Sequence, residues 1–391
     1  MKRPAKHIKH QIIYESICSD ILKGLYKPGQ KLPTENELAE HFHASRPTVG
    51  RAMRDLQQKG LITRRQGQGT FVRQAANVGK RTLGLLVHWQ NHPCAVSTMT
   101  TIFGIMVPEI LKLASDFGYS LLLNNIPHDT HVDHVKRAKT VCQRLIDAQV
   151  SGVFFTPLEL ADHASINIEI AEALDQAGIA VVLLDRDLTD SYHRSNFDIV
   201  GINNEQSALV LTNHLLEQGC RKIDFIAGPV ETTSINDRIR GYRAALAEHG
   251  IRATSKRLHA FDSKTLAQSG PPNQHMQNLL ALIKQGHVEA FVCVNDSTAV
   301  DVIHFLLRNG VRVPEDLRVA GFDDLPIDSS LPVSLTTVRQ PASTLAYESI
   351  RTIIDRINNP TLPARDIMVK TELVIRESSG SQLGKKLASS G

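Results

Sequence analysis

The sequence lacks the features of a membrane or secreted protein. It has no uninterrupted apolar run of the roughly 20 residues that a transmembrane helix needs. Its basic N-terminal segment has neither the apolar stretch nor the small-residue cleavage site of a signal peptide. The cysteines are odd in number and far apart in the chain, at Cys18, Cys94, Cys142, Cys220 and Cys293. Such a set forms neither a disulfide framework nor a zinc site, so we expect a protein of the reducing cytoplasm with no metal and no membrane partner.

Aromatic residues are few, at 5% of the chain, and low-complexity sequence is absent until the last dozen residues. Hydrophobic residues make up 42% and charged residues 21%, which is ordinary for a globular protein and excludes disorder for most of the chain. A chain of 391 residues exceeds the usual size of one hydrophobic core. We therefore expect two or more domains.

Acidic residues are scarce in one region only. Residues 1–73 contain 14 lysines and arginines against 6 aspartates and glutamates, whereas the whole chain has a formal net charge of only +4. A locally basic segment favours a polyanionic partner, because neutralising phosphates is the main sequence-independent source of affinity for nucleic acid. The alternative is a basic segment that serves only solubility.

Three helices are predicted in this basic segment. Apolar residues at helical spacing predict the first, from about residue 6 to residue 23. Thr34 stands three residues before Glu37 in a capping-box arrangement, which predicts that the second helix begins near Glu35. Ser45 is a suitable cap for the third helix. The buried stripe of that third helix consists of Val49, Ala52, Met53 and Leu56.

The polar face of the third helix is rich in arginine. It presents Arg46, Thr48, Arg51 and Arg54. A helix of this kind suits the major groove of DNA, where arginine reaches guanine edges or phosphates. For Arg54, a surface contact with Asp55 or Gln58 is an equal alternative.

The segment "LITRRQGQGTFV" predicts two strands joined by a glycine-containing turn, which form a wing. Arg64, Arg65 and Arg73 add positive charge to it. Its "GQG" precedes a strand and not a helix, which argues against a phosphate-binding loop.

The segment "PGQKLPTENELAEHFHASRPTVGRAMRDLQQKGLITRRQGQGTFV" resembles the GntR family of winged helix-turn-helix regulators over essentially the whole family signature. The resemblance implies binding to double-stranded operator DNA. It implies contacts from the starts of helices two and three and from the wing, at Glu35, Asn36, Ser45, Arg46, Thr48, Gln66 and Gly67.

The chain departs from this family at Gly50. Family members usually have arginine there, and here Arg51 follows one place later. A shift of one residue turns a side chain by about 100° around a helix, so Arg51 does not inherit the role of the missing arginine. We expect the operator preference to differ from that of relatives.

From Arg81 onward, short apolar runs alternate with segments of helical length, which predicts parallel sheets covered by helices on both faces. Ligands of such sheets bind beyond the carboxyl ends of the strands. Polar residues follow the predicted strands at His88, Trp89, Asn124, Asn125, Asp185, Arg186, Asn203, Asn295, Asp296, Asp323 and Asp324. Each of them is a candidate ligand contact or, alternatively, a helix cap.

Three segments, "FIAGPVETTSINDRIRGYRAAL", "FVCVNDSTAV" and "RVAGFDDLPIDSSLPVSLTTVRQP", resemble the effector domain of the LacI/GalR family, which is similar to periplasmic sugar-binding proteins. The resemblance implies two α/β subdomains with an effector in the cleft between them. It assigns effector contacts to Arg238 and Asp296, and places Phe261 where an aromatic ring covers the ligand. The pair Asp185 and Arg186 is either an effector contact or an interdomain ion pair.

The segment "HWQNHPCAVSTMTTIF" reads as a long loop after the first strand of this region. Trp89 and His88 are candidates to line the pocket or its rim, with the tryptophan stacking on a sugar. A metal site at His88 and His92 is disfavoured, because no acidic or cysteine partner lies nearby.

We therefore predict a winged helix-turn-helix in residues 1–74, a linker in 75–81, a two-subdomain periplasmic-binding-protein-like α/β effector domain in 82–377 and a disordered tail in 378–391. The predicted function is a homodimeric transcription regulator, a repressor whose operator affinity changes when a sugar or related small molecule binds. The alternative effector is a nucleoside or another molecule that is not a sugar. A fused aminotransferase is disfavoured because no lysine follows a strand in a suitable setting. A solute-binding transport protein is disfavoured by the missing signal peptide. We expect no enzymatic activity and no cofactor.

Overall fold

The computed structural model describes most of the chain. The described residues are 9–22, 25–27, 29–58, 61–65, 69–72, 81–89, 101–127, 134–158, 160–188, 194–228, 232–261, 272–326 and 331–380. The chain divides into two compact units, one of residues 1–81 with 357–360 and the other of residues 82–356 with 361–391. Among the described residues, no helix combines the length and apolar character needed to span a membrane.

The first unit is a winged helix-turn-helix. Its elements are α1 (Lys9–Leu22), α2 (Glu35–His41), α3 (Arg46–Gln58), β1 (Ile62–Arg65) and β2 (Gly69–Val72). Strands β1 and β2 pair antiparallel. The core contains the predicted stripe of α3 together with Ile13, Ile17, Leu38 and Ile62.

The start of α2 and the segment before it are held by local features. Thr34 Oγ1 accepts a hydrogen bond from the Glu37 amide at 3.3 Å, and Glu37 Oε2 accepts one from the Thr34 amide at 2.6 Å, which is the predicted capping box. The preceding segment pairs with the wing, since the Leu32 amide donates to the Thr70 carbonyl. Gly29 has a φ of 79°, which glycine adopts without strain at this turn.

The second unit contains two sheets, each with six strands in the described residues. The first is fully parallel in the order β4, β3, β5, β6, β7, β13. Its strands are β3 (Thr82–Trp89), β4 (Ser120–Pro127), β5 (Gly152–Phe155), β6 (Ala180–Leu184), β7 (Asp198–Ile202) and β13 (Asp366–Val369). The helices that alternate with them are α4 (Ile102–Asp116), α5 (His134–Asp147) and α6 (Leu160–Gln176).

The second sheet has the order β9, β8, β10, β11, β12, β14, and its one antiparallel pair is β12 with β14. Its strands are β8 (Ile223–Ala227), β9 (Leu258–Ala260), β10 (Ala290–Cys293), β11 (Arg318–Asp323), β12 (Thr336–Arg339) and β14 (Glu372–Val374). The remaining helices of the unit are α7 (Asn204–Glu217), α8 (Thr233–Glu248), α9 (Gln274–Lys284), α10 (Asp296–Arg308) and α11 (Ala342–Asn358).

The chain crosses between the two sheets at three places in this unit. It leaves the first sheet after β7, returns between β12 and β13, and crosses again between β13 and β14. The prediction of two α/β subdomains is therefore confirmed, and three segments of the chain join them.

The loop predicted after the first strand of this unit begins later than expected. Pairing of β3 with β4 continues to His88 opposite Ile126 and Trp89 opposite Pro127. His88 and Trp89 are therefore strand residues, and so are Asn124 and Asn125 in β4. The prediction was wrong here because polar residues were taken to end strands that backbone pairing extends. His92 lies outside the described residues.

The prediction that the tail begins at residue 378 was also wrong. Residues Glu377–Ser379 form a 3-10 helix, and Ser378 and Ser379 are fully buried. The hydroxyl of Ser378 donates to the Val319 carbonyl at 2.6 Å and accepts from the Thr336 amide at 2.8 Å. Small polar residues resemble a disordered tail in composition, but these bonds attach them to the second sheet. Residues 381–391 lie outside the described part of the chain.

Candidate DNA-binding surface and effector cleft

Helix α3 separates its apolar and polar residues as its sequence predicts. Val49, Met53 and Leu56 are fully buried. On the other side lie four exposed residues, Ser45, Arg46, Arg51 and Arg54. The hydroxyls of Ser45 and Thr48 are 2.7 Å apart, which fixes both at the start of the helix. Asn36 is exposed on α2. Gln66 and Gly67 lie outside the described residues.

Glu35 connects the helices to the wing. Its Oε1 accepts a hydrogen bond from Arg64 Nη2 at 2.8 Å, and its Oε2 lies 3.8 Å from Arg46 Nε. A Cβ placed on Gly50 would lie 3.6 Å from the same carboxylate, so Gly50 leaves room beside Glu35. The sequence alone gave no sign of this contact between residues 29 positions apart. The arrangement holds two arginines at one surface, where they can reach phosphates.

The second candidate site lies at the carboxyl ends of strands β6 and β11. Asp185 follows β6 with a φ of 69°, and Asp323 ends β11 with a φ of 124°. These backbone conformations are uncommon outside glycine and concentrate at functional sites. Arg186 Nε lies 3.6 Å from Asp185 Oδ2, is buried, and has no hydrogen-bond partner among the described residues.

Arg238, on α8, is buried and held from several sides. Its Nε donates to Asn204 Oδ1 at 2.8 Å, and its Nη1 donates to the Val294 carbonyl at 2.6 Å. The guanidinium also lies 3.9 Å from the centre of the Phe322 ring. Such a guanidinium is fixed in one orientation before any ligand arrives.

Asp296, at the start of α10, is fully buried. Its Oδ1 accepts a hydrogen bond from Thr337 Oγ1 at 2.6 Å, and its Oδ2 accepts one from the Leu325 amide at 3.0 Å. A Cβ on Gly321 would collide with Oδ1, so glycine is required there for the carboxylate to fit. Asp296 therefore joins the start of α10 to strand β12 and to the segment that follows β11.

The two sheets contribute to a single cluster of charges. Burial is the main cause that raises the pKa of Asp323 to about 7. The nearby carboxylates of Asp296 and Asp185 act in the same direction, and Arg238 opposes them. Gln340 Nε2 donates to Asp323 Oδ1 at 2.6 Å. Since Asp185 follows the first sheet and the other groups belong to the second, these residues come together at the facing carboxyl ends of the strands.

Several other candidates make structural contacts within the protein. Phe261 is 6% exposed and packs in the core with Ile226, Met276 and Leu279. Asn203 and Asn295 cap helices α7 and α10, as the alternative interpretation proposed. Asp324 forms ion pairs with arginines, Arg339 and Arg376.

Sequence reasoning missed the residues that hold the charged groups in place. Asn204 positions Arg238, Thr337 braces Asp296, and Gln340 donates to Asp323. Asn204 comes directly after Asn203, which was predicted to follow a strand. No strand was predicted at Thr337 and Gln340, and the only signal there was that both lie in the third segment that resembles the LacI/GalR domain.

Two family models match separate parts of the chain. Residues 9–72 match the family described as bacterial regulatory proteins, gntR family. Residues 212–379 match the periplasmic binding protein-like domain, which includes the buried Ser378 and Ser379.

Two curated relatives are similar over almost their whole length. The arabinose metabolism transcriptional repressor of Geobacillus stearothermophilus is 28% identical over 95% of this chain and 97% of its own length. The ribose operon repressor of Halalkalibacterium halodurans is 24% identical over 89% and 97%. Among solved structures, the transcriptional regulator CelR in complex with cellobiose has a TM-score of 0.63 at 23% identity, covering 89% of this chain and all of that one. This last likeness shows that the fold is shared.

Proposed function

We propose that this transcription regulator is a repressor whose affinity for operator DNA changes when a neutral sugar binds between its two α/β subdomains. It has a gntR-type DNA-binding domain ahead of a periplasmic binding protein-like domain. The observation that carries the proposal is the buried cluster of Asp185, Arg238, Asp296 and Asp323, to which both sheets contribute. The relatives named as arabinose and ribose repressors support a sugar of the pentose class.

The charges of the cluster favour a neutral ligand. The carboxylates of Asp185, Asp296 and Asp323 are at least as numerous as the guanidiniums of Arg186 and Arg238. An anionic ligand would add negative charge to a buried site that already raises the pKa of a carboxyl group, which is unfavourable. A sugar brings only hydroxyls, and hydrogen bonds from hydroxyls to charged groups are worth about 1.5 to 3 kcal/mol each.

The DNA-binding half of the proposal rests on the exposed face of α3. Arg46, Arg51 and Arg54 face solvent there, and Arg64 lies close by through Glu35. Arginine in the major groove reads guanine, and arginine beside the groove neutralises phosphate. We propose that the protein acts as a homodimer in the cytoplasm and catalyses no reaction, because two half-sites give a small head enough affinity for specific binding.

Sugar binding would act through the three segments that cross between the sheets. A ligand that contacts both sheets binds more tightly when the two subdomains are closed around it than when they are apart. It favours the closed state by the difference between its binding free energies for the two states. Couplings between two sites of this kind are typically about 1 to 3 kcal/mol, or roughly 5- to 150-fold in affinity.

The experiment is a fluorescence anisotropy titration of the full chain with duplex DNA selected from a random pool, with and without L-arabinose, D-ribose, D-xylose, cellobiose and adenosine. At least one sugar should change the DNA affinity by 5-fold or more. A response to adenosine alone would favour the nucleoside alternative. No response to any sugar or nucleoside would reject the sensing function.

A matched pair of variants on α8 tests the site. Arg238→Lys removes the fixed fork and should abolish the sugar response while leaving DNA affinity without sugar unchanged. Arg240→Lys, two residues along the same helix, changes a partly exposed arginine paired with Glu205 and should leave the response intact. Light scattering after size-exclusion chromatography tests the dimer, which a monomer at micromolar concentration would contradict.

A further inference from the structure

The hydroxyl of Thr156 is buried without a hydrogen-bond partner. Thr156 directly follows β5 and is 1% exposed, and its Oγ1 bonds to no described residue. Buried hydroxyls are nearly always paired, because an unpaired one loses its hydrogen bonds to water and gains none. Among the described residues the hydroxyl is thus unpaired, and its position at the end of a strand makes it available to a bound ligand.

Thr156 lies at the ligand-facing edge of the first sheet. Phe155 pairs with Leu183, so the parallel register places Thr156 beside Leu184, one residue before Asp185. The amide of Thr156 donates to the Leu86 carbonyl of β3 at 3.0 Å, which fixes its backbone to the centre of the sheet. The carboxyl edge of a parallel sheet is where ligands bind.

A second orphaned atom lies at the same edge. Arg186 Nε follows the neighbouring strand β6 and is also buried without a hydrogen-bond partner in the described part of the chain. The groups on the second sheet differ, since Arg238, Asp296 and Asp323 already have partners within the protein. In the described part of the chain, the two unpaired side-chain atoms at the carboxyl ends of neighbouring strands, Thr156 Oγ1 and Arg186 Nε, therefore both belong to the first sheet.

The turn that carries Thr156 is rigid. The side chain of Asn167, on α6, is fully buried and bonds to both backbone groups of Leu158. Its Oδ1 accepts from the Leu158 amide at 2.7 Å, and its Nδ2 donates to the Leu158 carbonyl at 2.8 Å. The backbone is therefore held on both sides of the Thr156 side chain, at Thr156 itself by Leu86 and two residues later by Asn167.

We propose that the Thr156 hydroxyl is a specificity-determining contact for the effector, hydrogen-bonded to one hydroxyl of a neutral sugar. This inference rests on the proposed function. It assigns to the first sheet a contact that forms only when the ligand is bound, and that selects sugars with a hydroxyl at the matching position. A sugar analogue that lacks the matching hydroxyl leaves the Thr156 hydroxyl buried and unpaired. The cost of that unpaired group makes the protein discriminate strongly between the two sugars.

The test compares Thr156→Val, which keeps the shape and removes the hydroxyl, with Thr156→Ser, which keeps the hydroxyl. The control is Thr212→Val, because Thr212 is also fully buried but its hydroxyl donates to the Ala208 carbonyl at 2.8 Å. Calorimetry measures affinity for whichever of L-arabinose, D-ribose, D-xylose or cellobiose binds the wild-type chain. Thermal unfolding without sugar measures stability.

Thr156→Val should weaken sugar binding by about 3- to 10-fold, whereas Thr156→Ser and Thr212→Val should bind nearly as the wild type does. Without sugar, Thr156→Val should unfold at the wild-type temperature or above, because it removes an unpaired polar atom, while Thr212→Val should unfold below it. The monodeoxy derivative that lacks the sugar hydroxyl paired with Thr156 should bind the wild type and Thr156→Val with equal affinity.

Unchanged affinity in Thr156→Val would overturn the proposal. So would a loss of stability without sugar equal to that of Thr212→Val, because the hydroxyl would then have a partner in the protein. If the wild-type chain binds none of these sugars, both the proposed sugar response and this contact are rejected. If the wild type binds a sugar and Thr156→Val binds it equally well, only the contact from Thr156 is rejected.

Discussion

Arg64, in the wing, donates a hydrogen bond from Nη2 to Oε1 of Glu35, at the start of α2, over 2.8 Å. The same carboxylate lies 3.8 Å from Arg46 on α3. One acidic side chain thus gathers two arginines at the candidate DNA-binding surface. We expect the carboxylate to compete with DNA phosphates for both arginines, and so to limit binding to DNA of arbitrary sequence.

Glu35→Gln should therefore tighten binding to non-specific duplex DNA at low salt. It removes a negative charge from the surface and frees both arginines for phosphates, so the slope of log affinity against log salt should become steeper by about one unit. The measurement is anisotropy from 50 to 200 mM salt. Glu40→Gln is the control, since Glu40 is exposed on the same helix and forms no ion pair with the described arginines. Equal salt slopes for the two variants would contradict the assignment.

Gly50→Ala should stabilise the chain by up to about 1 kcal/mol. Gly50 lies inside α3, where glycine costs about that much relative to alanine, and the added Cβ would lie at an ordinary distance of 3.6 Å from Glu35. Urea unfolding of the full chain measures the change. Gly250→Ala is a control of opposite sign, because Gly250 has a φ of +69° and alanine is strained there. A destabilised Gly50→Ala chain would show that the space beside Glu35 is needed.

Much of the fold follows from short stretches of sequence. The capping box of Thr34 and Glu37 and the stripe from Val49 to Leu56 are local patterns, and the structure has them as predicted. The alternation of apolar runs and helical segments likewise predicts two parallel α/β layers, because each run is long enough to specify its own element. Local propensity and the burial pattern agree at all of these positions.

The contacts within the candidate cleft were not predictable in the same way. Asp296 is recognisable as a polar residue after a strand, but its brace to Thr337 joins residues 41 positions apart. Phe261 has the aromatic character of a ligand cover, yet it packs into the core beside α9. Sequence patterns locate strand ends, whereas the partner of each side chain depends on how distant elements meet.

Asp323 should make stability depend on pH between about 4 and 7. Its pKa is raised to about 7 by burial and by Asp296 and Asp185, whereas an unfolded aspartate titrates near 3.9. Between these values the folded state binds more protons than the unfolded state, so this group lowers stability progressively as the pH rises, and no further above about 7. Asp323→Asn removes the dependence and still accepts the bond from Gln340.

The stability of Asp323→Asn relative to the wild type should therefore rise between pH 4.5 and 7 and then level off. Urea unfolding at closely spaced pH values measures the difference. Asp316→Asn is the control, because Arg312 lowers the pKa of exposed Asp316 to about 2 and its contribution is constant over this range. A flat difference for Asp323→Asn would mean that Asp323 is ionised throughout.

A chain that ends at Glu377 should be less stable than one that ends at Gly380. The longer chain keeps the hydroxyls of Ser378 and Ser379, which bond to Val319, to Thr336 and, over 2.9 Å, to Nε2 of the buried His214. Removing them takes away the partners of the Thr336 amide and of the His214 ring in the interior, whereas the Thr336 hydroxyl keeps its two bonds to the backbone of Arg376. At about 0.5 to 1.5 kcal/mol for each bond, the loss should exceed 2 kcal/mol and appear as a lower urea midpoint with an unchanged slope. Equal urea midpoints for the two chains would show that the domain ends at residue 377. The comparison needs no ligand, so it decides the boundary whatever the effector is.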